Sequence, residues 1–199
     1  MRITLFFVGF IVISLLNSSC RNPNQYQKQV KELDSLKVVL QEAIVSFNTI
    51  DSVKCVEVYA QQYTYASFIK SNLKDTVSIA TAEQLQLFYS IGKNLVSFLV
   101  MSPNWKDEAK QSIKQLTDLS HDLKNGSLEE ETVFDFVSDE NRHATKIIEE
   151  LKTNTDLMRY SLDVFSKSLP VAQETVKKLN NGALPELIHP EIRKKPTKH

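Results

Sequence analysis

The sequence predicts an all-α protein, an elongated antiparallel bundle of three long, kinked helices or of four helices. Apolar residues recur at steps of three and four along most of the 199 residues, which is the period of one stripe on a helix. Only 4 glycines and 6 prolines interrupt regular structure. The β-branched residues fall on the helical stripes, and no Asn-Gly turn joins two alternating runs, so strands are not expected.

The first long segment runs from about Asn24 to Ile69 and carries a heptad seam. After Ile50 one step of four becomes three, which predicts a bend or a change of packing partner at that point. The seam consists of Leu33, Leu36, Leu40, Ala43, Phe47 and Ile50, and it continues through Val53, Val56, Ala60 and Tyr63.

The second segment follows the polar stretch 72–76 and ends at Asn125-Gly126, a pair that favours a left-handed helix stop. Ser102-Pro103 interrupts this segment. Serine is a good N-cap and proline is tolerated at the first helical position, so a new helix starts there with Trp105 in its first turn, unless the segment is one kinked helix. The apolar stripe comprises Leu85, Phe88, Ile91, Leu95, Phe98, Ala109, Ile113, Leu116 and Leu123.

The third segment begins at a predicted capping box formed by Ser127 and Glu130 and ends near residues 180–182, with Pro170 inside it. Glu140 and Asn154 occupy seam positions of this segment where apolar residues are expected. A buried polar group at such a position fixes helix register or partner number at a cost in stability. The alternative is that both side chains lie at the edge of the seam and reach solvent.

The first twenty residues form a leader. Arg2 precedes the apolar run 3–16, and the leader closes on Asn17-Ser18-Ser19-Cys20. A run of about 14 residues is too short to span a bilayer, which needs ~20, but it suits the core of a secretory signal. The leader resembles those of bacterial lipoprotein precursors, in which the signal is cut directly before a cysteine that is then acylated. An ordinary cleaved signal that leaves Cys20 as a free thiol is the alternative.

This resemblance implies a cleaved signal peptide over residues 1–19, lipid attachment at Cys20 and a bacterial cell-envelope location. No acidic run follows Cys20, so we expect the periplasmic face of the outer membrane. The mature chain is long enough for one domain. We divide it into a short tether over residues 20–25, a helical bundle over 26–182 and a tail over 183–199 that is rich in proline and lysine and is expected to be disordered or loosely docked.

The charge balance argues against nucleic-acid binding, and the cysteine content argues against an internal disulfide. The 24 basic and 24 acidic residues balance, so no long-range field attracts nucleic acid. Cys55 is the only cysteine besides Cys20, and an acylated Cys20 leaves it without a disulfide partner. A small, half-buried apolar side chain is the expected role of Cys55.

Two carboxylate–histidine pairs, Asp118-x-x-His121 and Glu140-x-x-His143, have the spacing used in di-metal sites of helical bundles. In an antiparallel hairpin that turns at Gly126 the two histidines differ in height by about twelve residues, or ~18 Å, and cannot share a metal. The sequence also lacks a glycine-rich phosphate loop, a nucleophile elbow and a closely spaced Cys/His set. We therefore predict no metal, no cofactor, no catalytic residue and no enzymatic activity.

Tyr59, Tyr63 and Trp105 are the candidate interaction residues, because aromatic side chains near helix ends are either core residues or protein contacts. The function predicted is a non-enzymatic, lipid-anchored interaction or scaffold module for another envelope protein, with no identified small molecule. A bundle that binds a small apolar ligand or a metal is one alternative, and an inhibitory or immunity-type lipoprotein is another. A scaffold requires an exposed apolar patch, whereas a ligand-binding bundle requires an internal cavity lined by these aromatic residues.

Overall fold

The structure, a computed structural model, describes residues 25–192 of the chain. These residues form four α-helices and no strand: α1 (Gln27–Asn48), α2 (Ser52–Asn72), α3 (Ile79–Asn125) and α4 (Glu130–Leu179). The predicted all-α bundle is confirmed. The predicted signal peptide and Cys20, together with residues 193–199 of the tail, lie outside the described residues.

Two long helices, α3 and α4, form an antiparallel hairpin joined by residues 126–129. They contain 47 and 50 residues. At the α-helical rise each is about 70 to 75 Å long. Phe88 of α3 stacks on Phe165 of α4 with 5.9 Å between ring centroids, and Asn94 Nδ2 donates a hydrogen bond of 3.1 Å to Ser161 Oγ. These contacts fix the register of the hairpin.

The helices α1 and α2 lie one after the other along this hairpin. Each contacts both α3 and α4, and the two do not pack on each other. Phe47 near the end of α1 packs on Phe98 at 5.5 Å, and Gln62 of α2 donates through Nε2 to the Phe88 carbonyl at 3.2 Å. The three long segments predicted from the sequence are therefore present, and the first is broken into two helices.

The break that produces the fourth helix lies at residues 49–51. The other candidate position, Ser102-Pro103, is inside α3, which runs through Pro103 as one continuous helix. Trp105 is consequently in the middle of a helix and not in a first turn. Asp51 caps the new helix α2, because its Oδ1 accepts from the backbone N–H groups of Val53 at 2.9 Å and Lys54 at 3.2 Å.

The predicted seam is confirmed in α1 and is wrong in α2. Val53 is 66% exposed, and Val56 and Tyr63 are each 39% exposed. Helical phase is not carried across the three residues between α1 and α2, so a different face of α2 turns toward the hairpin. That face consists of Cys55, Val58, Gln62, Tyr65, Ala66 and Ile69.

The predicted capping box at the start of α4 is also wrong. Ser127 donates its backbone N–H to the Asp122 carbonyl at 3.0 Å and so closes the end of α3, where Gly126 has the left-handed φ of 63°. The N-cap of α4 is Glu129, which makes no side-chain capping bond. Glu130 and Glu131 in the first turn instead complement the positive end of the helix dipole.

Residues 183–192, which we call the C-terminal strap, return along the bundle after α4. The chain reverses at Asn181 and Gly182, whose φ angles of 51° and 90° are both left-handed. Asn180 Nδ2 supports the turn by donating to the Ala183 carbonyl at 3.2 Å. The strap has no regular secondary structure, and the backbone N–H of Ile188 donates to Thr64 Oγ1 of α2 at 2.9 Å.

Candidate interaction surface on α2

The helix α2 is covered on two opposite sides. Residues two positions apart in a helix point in nearly opposite directions, so Thr64 lies on the far side of α2 from Gln62, which faces α3. Thr64 is nevertheless only 2% exposed, because the strap lies against it. We call the side of α2 that carries Thr64 and Ala60 its outer face; Ala60 is buried as well. The hairpin thus covers one side of α2 and the strap covers part of the other.

An apolar row runs along α2 beside the outer face; Val53, Val56 and Tyr63 in it are exposed, and Tyr59 is half-buried. We call this row, made of Val53, Val56, Tyr59 and Tyr63, the α2 stripe. The rings of Tyr59 and Tyr63 meet at a tilt of 56° with 6.1 Å between centroids. Partial burial, followed by the neighbouring Tyr63 hydroxyl, raises the pKa of Tyr59, so this tyrosine is uncharged near neutral pH. The stripe is a neutral surface with the spacing that an apolar partner helix or segment recognises.

Trp105 lies in a different aromatic cluster. Its ring packs edge-on against Phe47 at 6.0 Å, where Phe98 and the Lys106 ammonium also contact Phe47. Trp105 is half-buried between α1 and α3. The structure therefore brings Tyr59 and Tyr63 together and assigns Trp105 to the packing of α1.

Glu140 and Asn154 are both half-buried on α4. Burial raises the pKa of Glu140; the nearby His143 opposes this shift, and Asp139 adds to it. Glu140 Oε2 is buried and has no hydrogen-bond partner within the described part of the chain. Asn154 Nδ2 donates to the Glu150 carbonyl of its own helix at 2.7 Å. A role of these two residues in fixing helix register stays a prediction.

Two polar residues of α3 were not identified from the sequence. Ser112 Oγ and Gln115 Oε1 are buried, and neither has a hydrogen-bond partner among residues 25–192. Gln115 and Glu140 lie at equal sequence distances from the α3–α4 connection, so the hairpin places them at the same height. Serine and glutamine within a helical pattern are usually surface residues, so the pattern did not indicate that Ser112 and Gln115 are buried.

The two carboxylate–histidine pairs have separate surroundings. Asp118 accepts from Lys114 Nζ at 2.8 Å, and His121 lies beside Asn125. Among residues 25–192 no group of three or more His, Cys, Asp and Glu side chains is arranged to hold a metal ion. Cys55 is fully buried, and this burial, with a smaller effect of Asp51, raises its pKa to about 11. The thiol is therefore protonated and unreactive near neutral pH.

An open groove lies between α1 and the start of α4. Its volume is about 320 Å³, and Phe134 at its rim is 77% exposed. Asn141 Nδ2 donates to Glu32 Oε1 across the groove at 3.1 Å. The residues that line the groove are mostly polar, and Phe134 and Val137 are the apolar ones. The residues that line it are Lys28, Gln29, Glu32, Phe134, Val137, Ser138 and Asn141.

Comparison with protein-family models, with curated proteins and with solved structures finds no match to this chain. No helix within residues 25–192 is long and apolar enough to cross a membrane.

Proposed function

We propose that this protein is a non-enzymatic, lipid-anchored protein of a bacterial cell envelope that serves as a helical interaction or scaffold module for another envelope protein. The anchor rests on the resemblance of residues 1–20 to a lipoprotein leader, with Cys20 as the acylated residue. The contact role rests on one observation, the exposed α2 stripe. An apolar row of this kind on a surface helix favours a protein partner over solvent.

The position of the stripe supports this role. Gln25 donates through Nε2 to Glu130 Oε1 at 3.0 Å, so the start of α1 and the α3–α4 connection lie at the same end of the bundle. A chain anchored at Cys20 has this end nearest the membrane. The 22 residues of α1 place the start of α2 about 33 Å further along the bundle. The module therefore presents its stripe away from the lipid surface.

A second candidate function is the binding of a small apolar ligand in the groove beside Phe134. The groove lies at the end of the bundle nearest Cys20, and an exposed phenylalanine at its rim is the observation that favours it. An inhibitory or immunity-type role uses the same protein-contact surface as the scaffold role. The identity of the captured partner separates these two.

The test is in-cell crosslinking of the acylated protein followed by affinity capture and mass spectrometry. Cys20→Ala releases the protein from membranes and abolishes the crosslink if the anchor positions it. Tyr63→Glu places a charge in the α2 stripe and reduces the crosslink by at least about tenfold, which corresponds to 1.4 kcal/mol. Val45→Glu is the matched control, because Val45 is 68% exposed on α1 and lies outside the stripe.

Unchanged membrane attachment of the Cys20→Ala protein contradicts the anchor. An equal loss of crosslinking in the Tyr63→Glu and Val45→Glu variants contradicts the stripe as the contact surface. If no envelope protein is enriched from the unmodified strain, the ligand-binding function takes precedence, and Phe134→Asp is the variant that tests it.

A further inference from the structure

The contact between the strap and α2 has the form of a peptide bound to a helix. Thr64 Oγ1 donates its own hydrogen to the Ala60 carbonyl at 2.7 Å, so its lone pairs are directed outward. One of them accepts the Ile188 N–H at 2.9 Å, while the Ile188 carbonyl lies at the longer distance of 3.5 Å. The small Ala60 and Thr64 side chains let an extended backbone approach α2 closely. The outer face of α2 is thus built to receive an N–H donor of an extended chain.

The strap covers the outer face of α2 but leaves part of its own apolar surface in water. Leu184, Leu187 and Ile188 keep 39%, 37% and 53% of their surface exposed in the bound strap, so docking leaves a substantial part of their apolar area in water. Pro185 and Pro190 restrict the strap to extended backbone before docking, which lowers the entropic cost of the contact. A segment whose apolar side chains are only partly buried loses less buried area when a competing segment replaces it.

The strap leaves a neighbouring apolar surface uncovered. Its first six residues run from the end of α4 back to Thr64, which lies within α2, and the N-terminal half of that helix lies further toward α1. Val53 and Val56 of the α2 stripe lie in that half and remain exposed. A longer or more apolar segment in the same place gains area that the strap leaves open.

We propose that the outer face of α2 is a binding site for an extended, apolar peptide segment of the partner protein, and that the strap occupies this site in the free protein. The partner segment displaces the strap, donates a backbone N–H to Thr64 Oγ1 and continues over the α2 stripe. This inference rests on the proposed interaction role and specifies the chemistry of the partner.

The tether between α4 and the strap sets the strength of the competition. Only residues 180–182 connect α4 to the strap, and with such a short connection the strap competes at an effective concentration in the millimolar range. A competing peptide binds only the fraction of molecules whose strap is released, and its apparent affinity falls by that fraction. A change that weakens the strap without altering the face of α2 therefore increases the affinity for an added peptide.

The experiment uses the full-length Cys20→Ala protein and a fluorescent synthetic peptide with the sequence of residues 183–192, Ala-Leu-Pro-Glu-Leu-Ile-His-Pro-Glu-Ile. Ile188→Pro in the protein removes the N–H donor of the strap and is compatible with extended backbone. We expect the Ile188→Pro protein to bind the peptide at least about tenfold more tightly than the protein with an intact strap. Fluorescence anisotropy measures the dissociation constants.

Two further variants identify the acceptor. Thr64→Val, added to Ile188→Pro, removes the hydroxyl while keeping the side-chain shape and is expected to lose the gained affinity. Thr64→Ser keeps the hydroxyl and is expected to retain it. Circular dichroism checks that all variants keep the helical fold.

Equal peptide affinities with and without Ile188→Pro, or no binding to any variant, overturn the inference. Equal affinities of the Thr64→Val and Thr64→Ser proteins overturn the role of the hydroxyl. Because the measurement needs neither the lipid nor an envelope partner, its failure is distinguishable from a failure of the crosslinking test of the proposed function.

Discussion

The helices α1 and α2 rest on the same hairpin, yet they bury their residues in different ways. α1 buries one stripe of large apolar side chains, with Phe47 between Phe98 and Trp105. α2 buries smaller and more polar side chains toward the hairpin, including Cys55 and Gln62, and its outer face is covered by the strap. A helix covered on both sides lacks the simple amphipathic pattern of a surface helix. We therefore expect α1 to contribute more than α2 to the stability of the bundle, whereas α2 carries the exposed apolar stripe.

Truncation of a buried aromatic side chain in α1 should destabilise the protein more than any of the other changes below. Phe47→Ala removes a fully buried ring that contacts two aromatic neighbours and lowers the free energy of unfolding by about 3 to 5 kcal/mol. Urea denaturation followed by circular dichroism measures the loss. Val45→Ala on the exposed side of α1 is the control and stays within about 0.5 kcal/mol of the parent protein. A loss below about 1 kcal/mol for Phe47→Ala contradicts the assignment of α1 as the stabilising helix.

The N-cap of α2 is the next test. Asp51→Ala removes the acceptor of the Val53 and Lys54 N–H groups and lowers the free energy of unfolding by about 1 kcal/mol. The effect is local, because α2 can loosen from the hairpin while α1 stays in place. Hydrogen exchange should accelerate in α2 and not in α1, and Asp51→Ser should restore protection. Equal acceleration in both helices argues that α1 and α2 unfold as one unit.

Gly92 in α3 lies close to Gln62 in α2. A substitution at Gly92 should therefore change stability in opposite directions with and without the Gln62 side chain. A Cβ atom added at position 92 would lie 2.6 Å from Gln62 Oε1. Gly92→Ala therefore displaces the Gln62 side chain and breaks its hydrogen bond to the Phe88 carbonyl. We expect Gly92→Ala to lower the free energy of unfolding by about 1 kcal/mol, because the loss of a buried hydrogen bond outweighs the higher helix propensity of alanine.

In a Gln62→Ala background the same Gly92→Ala change should stabilise the protein by up to about 1 kcal/mol, because only the propensity gain remains. A double-mutant cycle in urea measures both values. The same sign in both backgrounds excludes the steric contact between Gln62 and position 92 as the determinant of α2 docking.

Glu140 of the shared hairpin makes stability depend on pH, and we expect this dependence to be weaker than the changes above. The folded-state pKa of Glu140 lies above its ordinary value, so the stabilisation from its protonated form is present at acid pH and is lost as the pH rises through the folded-state pKa. Between acid and neutral pH the free energy of unfolding should decrease less in the Glu140→Gln protein than in the parent, and the difference should be below about 1 kcal/mol. Identical pH profiles of the parent and Glu140→Gln proteins, in urea titrations at several pH values, contradict the shift.

Long helices and their apolar faces were predictable wherever one stripe faces one partner. Leu40 and Phe47 in α1 and Phe88 and Leu95 in α3 are buried as their spacing predicts. The left-handed stop at Gly126 was predictable as well, because few other residues adopt its φ angle. These features depend on local periodicity and on backbone conformation, and both can be read from a single sequence.

The features that the sequence did not reveal depend on contacts between distant residues. The stripe through Val56 and Tyr63 has helical spacing, yet the helical phase changes at residues 49–51 and another face of α2 meets the hairpin. Thr64 is buried at the point where Ile188, 124 positions later, lies against it. Ser127 matches a capping box, but its backbone completes the preceding helix. Position in a pattern could not distinguish these cases.

The acidic first turn of α4 has a consequence for orientation. Glu130 and Glu131 lie at the same end of the bundle as Gln25, the first described residue. For a chain anchored at Cys20, this end faces a membrane surface whose anionic lipids repel carboxylates over a Debye length of about 8 Å at physiological salt. In a chain anchored in this way, the repulsion would lift this end of the bundle off the headgroups and favour an upright orientation, and the effect would weaken as ionic strength rises.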